Sequence, residues 1–203
     1  MRVLVDTDIF CKLGVCSLLE DAVSLLGATV GDCGRLPALP QMLRRGLIPK
    51  RYGKESCERL VPLAQSLPLA PEPSARLLDQ MTPLAEIDAG EAQLMAAAIE
   101  HDLLLITGDS RALGRIRTIE ALVEPLAGRI VTTEAMVLAL TDQLGVQTVR
   151  QRVRPLIAID KSMGVWFSPG NPDPVEALVS YHRSLTAELA PLVLWTPPGR
   201  SLR

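Results

Sequence analysis

Aromatic side chains are scarce: two Trp, two Tyr and two Phe make up 3% of the 203 residues. The core must therefore be built from Leu, Val, Ala and Ile, and recognition dominated by base stacking on aromatic rings is not expected. Histidine is as rare, with His101 and His182 alone. The four cysteines, Cys11, Cys16, Cys33 and Cys57, form no Cys-x-x-Cys pair and have no neighbouring histidine. That spacing argues against a structural zinc site and for reduced, buried thiols. No charge-free apolar run approaches the ~18 residues of a membrane span, and Met1-Arg-Val-Leu-Val-Asp6 leads into a strand rather than a signal peptide. A cytoplasmic protein without a membrane segment is the expectation.

Strong net charge is also missing. The formal charge is −2, too small for a protein that coats nucleic acid through bulk attraction. Its distribution is uneven: residues 1–110 carry 10 Lys/Arg against 15 Asp/Glu, and residues 111–203 carry 11 against 8, giving −5 and +3. An acidic centre with basic surroundings suits a metal site beside a polyanion track.

What is present is a set of acids at the ends of apolar segments. Asp6 and Asp8 follow Val3-Leu-Val, Asp88 and Glu91 open an amphipathic helix, and Asp109 follows Leu103-Leu-Leu-Ile-Thr-Gly. If the strands are neighbours in one parallel sheet, their carboxyl ends and that helix start converge on the edge where open α/β sheets bind ligands. Carboxylates that repel one another gather there mainly to hold a hard cation, Mg²⁺ or Mn²⁺.

The rest of the chain supports that layout. Apolar runs predict strands over residues 2–5, 28–30, 103–107 and 129–132. Helices are expected over about 17–26, with Ser17 as N-cap, over 88–102, 111–126, 133–144 and 146–158, and from Pro174 to about Leu189. Residues 36–66 read as helical pieces broken by Pro37, Pro40, Pro49 and Pro62, and 67–74 as an irregular connection. Residues 164–174 read as a loop apart from Val165-Trp166-Phe167. Strands alternating with helices indicate an α/β fold, a three-layer α/β/α sandwich around a mainly parallel sheet. We place the domain at 1–132 and a largely helical extension, packed on it or mediating assembly, at 133–203.

Each acid also has a purely structural reading, as a turn residue or helix cap. Asp88 and Glu91 have capping-box spacing. The combination, however, resembles PIN-domain ribonucleases, close to the toxin components of bacterial type II toxin–antitoxin pairs. The matching pieces are Val3-Leu-Val-Asp-Thr-Asp8, Gly90-Glu-Ala-Gln-Leu-Met-Ala-Ala-Ala98 and Leu104-Leu-Ile-Thr-Gly-Asp109. The resemblance covers residues 1 to about 132 and implies a PIN-like fold with Asp6, Glu91 and Asp109 as catalytic metal ligands. Asp8, Asp88 and Asp32 are auxiliary candidates, and Thr7, Thr107, Arg111 and Arg115 are candidates for positioning RNA.

One feature departs from the family pattern. The helix after the second strand usually opens with an acid, and here Val30-Gly-Asp-Cys-Gly-Arg-Leu-Pro-Ala38 offers only Asp32. The implied activity is hydrolysis of RNA phosphodiester bonds with Mg²⁺ or Mn²⁺, on a structured or tRNA-like RNA, with an antitoxin or a second copy of the chain as protein partners. His101, at the end of the Glu91 helix, reads as a C-terminal cation rather than a general base. Further basic groups, Arg44, Arg45, Lys50, Arg51 and Lys54 and then Arg150, Arg152 and Arg154, read either as solvated faces or as phosphate contacts.

Two other functions fit parts of the pattern. A PIN-like fold with an impaired site would serve as a binding or assembly module. Val3-Leu-Val-Asp-Thr-Asp-Ile-Phe10 and Leu105-Ile-Thr-Gly-Asp109 also resemble motifs of haloacid-dehalogenase-like phosphatases. That family expects a Lys before the second motif and an acid four or five residues after it, where Leu113 and Gly114 stand.

Overall fold

The computed structural model describes residues 1–81, 84 and 86–200. Four strands, β1 (Val3–Val5), β2 (Cys33–Gly34), β3 (Leu104–Thr107) and β4 (Ile130–Thr132), form one parallel sheet in the order β2-β1-β3-β4. The register sets Val3 opposite Cys33 and Leu104, and Ile106 opposite Val131. Chain order reverses at β1, so the crevice between the carboxyl ends of β1 and β3 is the switch point of the sheet.

Successive strand residues point to opposite faces, and both faces are covered. Val3, Val5, Ile106 and Val131 belong to one buried apolar cluster, whereas Leu4, Leu105 and Ile130 belong to another. The first layer contains α1 (Thr7–Val15), α2 (Leu19–Leu25), α3 (Leu39–Met42), α4 (Leu47–Tyr52) and α5 (Lys54–Ser66). It also contains α10 (Thr133–Leu144), α11 (Val146–Arg152) and α12 (Lys161–Phe167). The second contains α6 (Ala75–Met81), α7 (Ala89–Glu100), α8 (Ser110–Ile116) and α9 (Glu120–Leu126). The sixteen-residue α13 (Pro174–Leu189) joins both, with Leu178 in the first cluster and Leu185 and Leu189 in the second. Residues after 132 thus share both cores with the residues before it. No helix among the described residues is long and apolar enough to cross a membrane.

The segment after α13 lies along β4. Gly128 donates its amide to the Val193 carbonyl at 2.7 Å, and Trp195 donates to the Ile130 carbonyl at 2.9 Å. Leu192 and Leu194 are buried beneath it.

Several elements differ from those the sequence pattern predicts. Helix α1 follows directly on Asp6, where the pattern predicts none: beside Leu13, its buried side is Thr7, Ile9, Phe10 and Cys11, β-branched, aromatic and small residues of low helix propensity. Packing on the sheet overrides that preference. Ser17 has φ +54° and does not cap α2, which begins after Leu18. The second strand is Cys33–Gly34 and not 28–30, because Thr29 and Asp32 close a capping box around a 3₁₀ turn at Val30–Asp32. Pro62 lies inside α5 without ending it, its neighbours Leu60, Val61 and Ala64 being buried. The helix expected over 111–126 is interrupted at Arg117-Thr118-Ile119, and that over 146–158 ends at Arg152 and passes into a 3₁₀ turn. Val165-Trp166-Phe167 belong to α12, capped by Asp160, whose carboxylate accepts the Met163 amide at 3.0 Å.

Candidate metal centre

Three strand and helix junctions meet at the switch point. Asp6 closes β1 and is the N-cap residue of α1, with its amide bound to the Ile106 carbonyl of β3 at 3.1 Å and no capping bond from its side chain. Its carboxylate is thus not taken up in capping α1, and the nearby Thr7 amide lowers its pKa. Asp88 and Glu91 form a full capping box at the start of α7: Glu91 donates its amide to Asp88 Oδ1 at 2.8 Å, and Asp88 donates its amide to Glu91 Oε2 at 2.9 Å. Asp109, just past β3, caps α8 by accepting the amides of Arg111 and Ala112 at 2.9 and 3.0 Å. The exposed Arg111 guanidinium folds back onto its Oδ2 at 3.2 Å.

The structural and functional readings of these acids therefore coexist, since each carboxylate sits at a helix start where negative charge is favoured. Electrostatics distinguishes the cluster from three separate caps. Burial pushes the Asp6 carboxyl up to about 6, and the negative charges of Asp8, Asp88 and Asp109 add to that rise. Glu91 is pushed up to about 7, first by burial and then by Asp109 and Asp88, with its carboxyl in hydrogen-bonding contact with that of Asp109. Burial works against charge at Asp109 too, but the Ala112 and Arg111 donors outweigh it and hold that carboxyl below the usual range. One acid of the pair is thus prepared to stay ionised and the other to hold a proton.

Asp88, Glu91, Asp109, Glu86, Ile87 and Arg111 line a cleft of about 330 Å³. It adjoins a second cleft of about 420 Å³, bordered by Glu72, Pro73 and Leu78, which shares Ile87 and Asp88. Two close approaches of bare backbone shape the surroundings. A Cβ on Gly108 would stand 2.7 Å from Thr133 Oγ1, and one on Gly90 would stand 2.8 Å from Leu36 Cδ1.

Other candidates lie elsewhere. Asp32 is at the opposite, amino end of the sheet: Arg2 donates its amide to the Asp32 carbonyl, while the Asp32 carboxylate caps Thr29 and lies 3.8 Å from the N-terminal amine. It does not reach the carboxyl edge. At the carboxyl end of β2 stands Arg35, buried, with its guanidinium donating to the Leu36 and Pro37 carbonyls. Asp8 points to a different set of partners, Lys12 at 2.9 Å, Arg51 at 3.0 Å and the Tyr52 hydroxyl at 2.5 Å. Thr7 is buried with its hydroxyl unpartnered, and Thr107 Oγ1 accepts the Asp109 amide at 3.3 Å. Arg115 pairs with Glu86 at 3.2 Å. His101 follows α7 as its C-cap residue, and His182 is buried in α13 with neither ring nitrogen hydrogen-bonded.

Sequence reasoning missed the polar cluster around Asp8. Lys12 bridges Asp8 and Asp160 at 2.9 and 2.8 Å, and Arg51 spans the same two acids at 3.0 and 3.3 Å. Asp160 is buried, and its bonds to Lys12 and the Met163 amide outweigh that burial and lower its pKa. Glu134, buried one residue past the start of α10, is raised by burial and lies within the fields of Lys12 and Asp160. The i, i+4 spacing of Asp8 and Lys12 was the available signal, and it becomes visible only once α1 is recognised as a helix.

The donors at the carboxyl edge are carboxylates without thiol or imidazole, which in kind and charge suits a hard divalent cation. Among the described residues, no three Asp, Glu, His or Cys side chains are grouped as a ready-made ligand set. Comparison of the chain with protein-family profiles, with curated proteins and with solved structures gave no match.

Proposed function

We propose that this protein is a PIN-like endoribonuclease, dependent on Mg²⁺ or Mn²⁺, that hydrolyses RNA phosphodiester bonds as the toxin of a toxin–antitoxin pair would. The observation that carries this reading is that Asp109, beside the switch point, is close enough to Asp6 and to Glu91, which come from two other segments, for its charge to act on both. Burial and the charges of neighbouring acids push Asp6 up to about 6 and Glu91 up to about 7, with Asp88 and Asp109 acting on both. Such repulsion is costly to maintain unless a cation relieves it. Asp6, Glu91 and Asp109 would hold that cation, with Asp88 beside them as cap and additional charge. When bound, it would lower the pKa of a water and offset charge on the scissile phosphate. Arg111, exposed and paired with Asp109, would hold a phosphate against the cleft.

The departure at β2 favours one other reading. Helix α3, the one that follows β2, opens at Ala38-Leu39-Pro40-Gln41 without the acid that the resemblance calls for, so a PIN-like binding module with an impaired site is the alternative. The phosphatase reading is weaker, because Asp8, its acid/base, is held by Lys12, Arg51 and Tyr52. The deciding experiment is cleavage of labelled RNA with Mn²⁺, comparing wild type with Asp6→Asn and Glu91→Gln. A drop of at least about a hundredfold in both folded variants supports the nuclease. Equal activity in wild type and variants, or none in wild type, favours the module.

A further inference from the structure

The acidic cleft has a basic neighbour that the proposed chemistry does not use. From Gly34 to Lys54 the chain contains no Asp or Glu but six cations, in a protein whose net charge is −2. Arg44, Arg45, Lys50, Arg51 and Lys54 are all exposed along the segment from α3 through α4 to the start of α5. Arg51 is engaged by Asp8 and Asp160, whereas Arg44, Arg45, Lys50 and Lys54 have no acidic partner among the described residues.

This segment is fixed in place rather than merely tethered. Tyr52 and Arg51 anchor the end of α4 to Asp8 in the first turn of α1, two residues beyond Asp6 and close enough to raise the Asp6 pKa. Leu36, at the other end of the segment, packs against the start of α7 beside Gly90. The basic segment therefore borders the acidic edge on the α1 side, while Arg111 borders it on the α8 side. Within the anchor, Asp8 and Asp160 are taken up by Lys12 and Arg51 rather than by the other four cations.

Resting on the nuclease reading above, we infer that Arg44, Arg45, Lys50 and Lys54 form a phosphate-backbone rim that holds an RNA strand beside the cleft independently of the divalent cation. Four unpaired cations without adjacent aromatic platforms suit backbone contacts, which set register and affinity without reading sequence. Tyr52, the one ring in the segment, is buried with its hydroxyl on Asp8, so it offers no stacking surface.

The test is fluorescence anisotropy of a short labelled single-stranded RNA of mixed sequence with the full chain in EDTA, over a series of salt concentrations. The variant Arg44→Gln/Arg45→Gln/Lys50→Gln/Lys54→Gln should weaken binding by about tenfold or more. Its salt dependence should flatten by about three in log–log slope, roughly 0.7 for each phosphate no longer neutralised. A control, Lys161→Gln/Arg183→Gln, exposed charges on other elements, should leave binding nearly unchanged. Wild-type affinity in the fourfold variant overturns the rim, as does poly-glutamate displacing RNA at equal concentration, which would mark an acidic protein partner. RNA binding that depends on the rim without any cleavage by wild type leaves the rim standing and removes the nuclease chemistry. Cleavage that the fourfold variant retains in full at low RNA concentration does the reverse.

Discussion

Glu91 and Asp109 meet carboxyl to carboxyl, one from the first turn of α7 and the other from the end of β3, and the fold treats them oppositely. Asp109 receives two amides and a guanidinium, whereas Glu91 Oε2 receives the single amide of Asp88. A proton entering the pair therefore resides on Glu91, and the two titrate as a unit.

Stability should depend on pH in a direction set by the raised acids. Asp6 and Glu91 have folded pKa values of about 6 and 7, above those of the unfolded chain, so the folded state binds the extra protons. Their contribution is fully present below the unfolded values of about 4 and is lost as pH rises from there through the folded values. Asp6→Asn should remove part of that loss and raise the melting temperature by a few degrees near pH 8, about 1 kcal/mol after allowance for solvent screening. Melting curves of wild type and variant that run parallel from about pH 5 to 8 would show that the repulsion is not there.

Cation binding should report the same charge. Millimolar Mn²⁺ is expected to raise the melting temperature by a few degrees at about pH 8 and by less at about pH 5.5, where Glu91 and Asp6 hold protons that compete with the metal. Asp109→Asn should abolish most of the gain. A shift of the same size in that variant would place the bound ion elsewhere.

Asp88 separates capping from charge. Asp88→Ala removes the acceptor for the Glu91 amide and should cost about 1 kcal/mol, whereas Asp88→Asn keeps the acceptor and should cost little. If RNA cleavage survives in the Asn variant, Asp88 acts through the helix start alone; if it falls as in Glu91→Gln, its charge belongs to the site. Urea denaturation and cleavage rates, measured side by side, make the distinction.

The layered α/β order and the three acidic junctions were legible because they rest on strong local signals: uninterrupted apolar strands, the capping-box spacing of Asp88 and Glu91, and Asp109 after a buried run. Pro174 opening α13 and Gly145, with φ +82°, separating α10 from α11 were equally plain. What could not be read was set by neighbours remote in sequence. Helix α1 is helical because its apolar side packs on the sheet, and Asp8 leaves the acidic edge because Arg51 and Tyr52, more than forty residues on, take it up. Asp32 looked available for the site until the register of β2 placed it at the wrong end of the strand.

The anchor of the basic segment gives a fourth expectation. Lys12 lies between two acids, one of them buried, and its partners raise its pKa although burial alone would lower it. Lys12→Met strands Asp160 with less compensation and should cost about 3 kcal/mol. Adding Asp160→Asn should restore part of that, so the double variant should be more stable than Lys12→Met alone in chemical denaturation. Simple additivity of the two losses would mean that the ion pair does not couple.

The segment that follows α13 has a bearing on self-association. By giving the Val193 carbonyl to Gly128 and taking the Ile130 carbonyl with Trp195, it occupies the open side of β4 and seats Leu192 and Leu194 over the same edge. A chain cut after Leu189 would leave β4 with a bare row of main-chain donors and acceptors beside freshly uncovered leucine-rich surface. Such an edge is a template for another copy's strand. Truncation at the carboxyl terminus is therefore expected to appear first as concentration-dependent aggregation, visible by light scattering while the acidic edge is still intact.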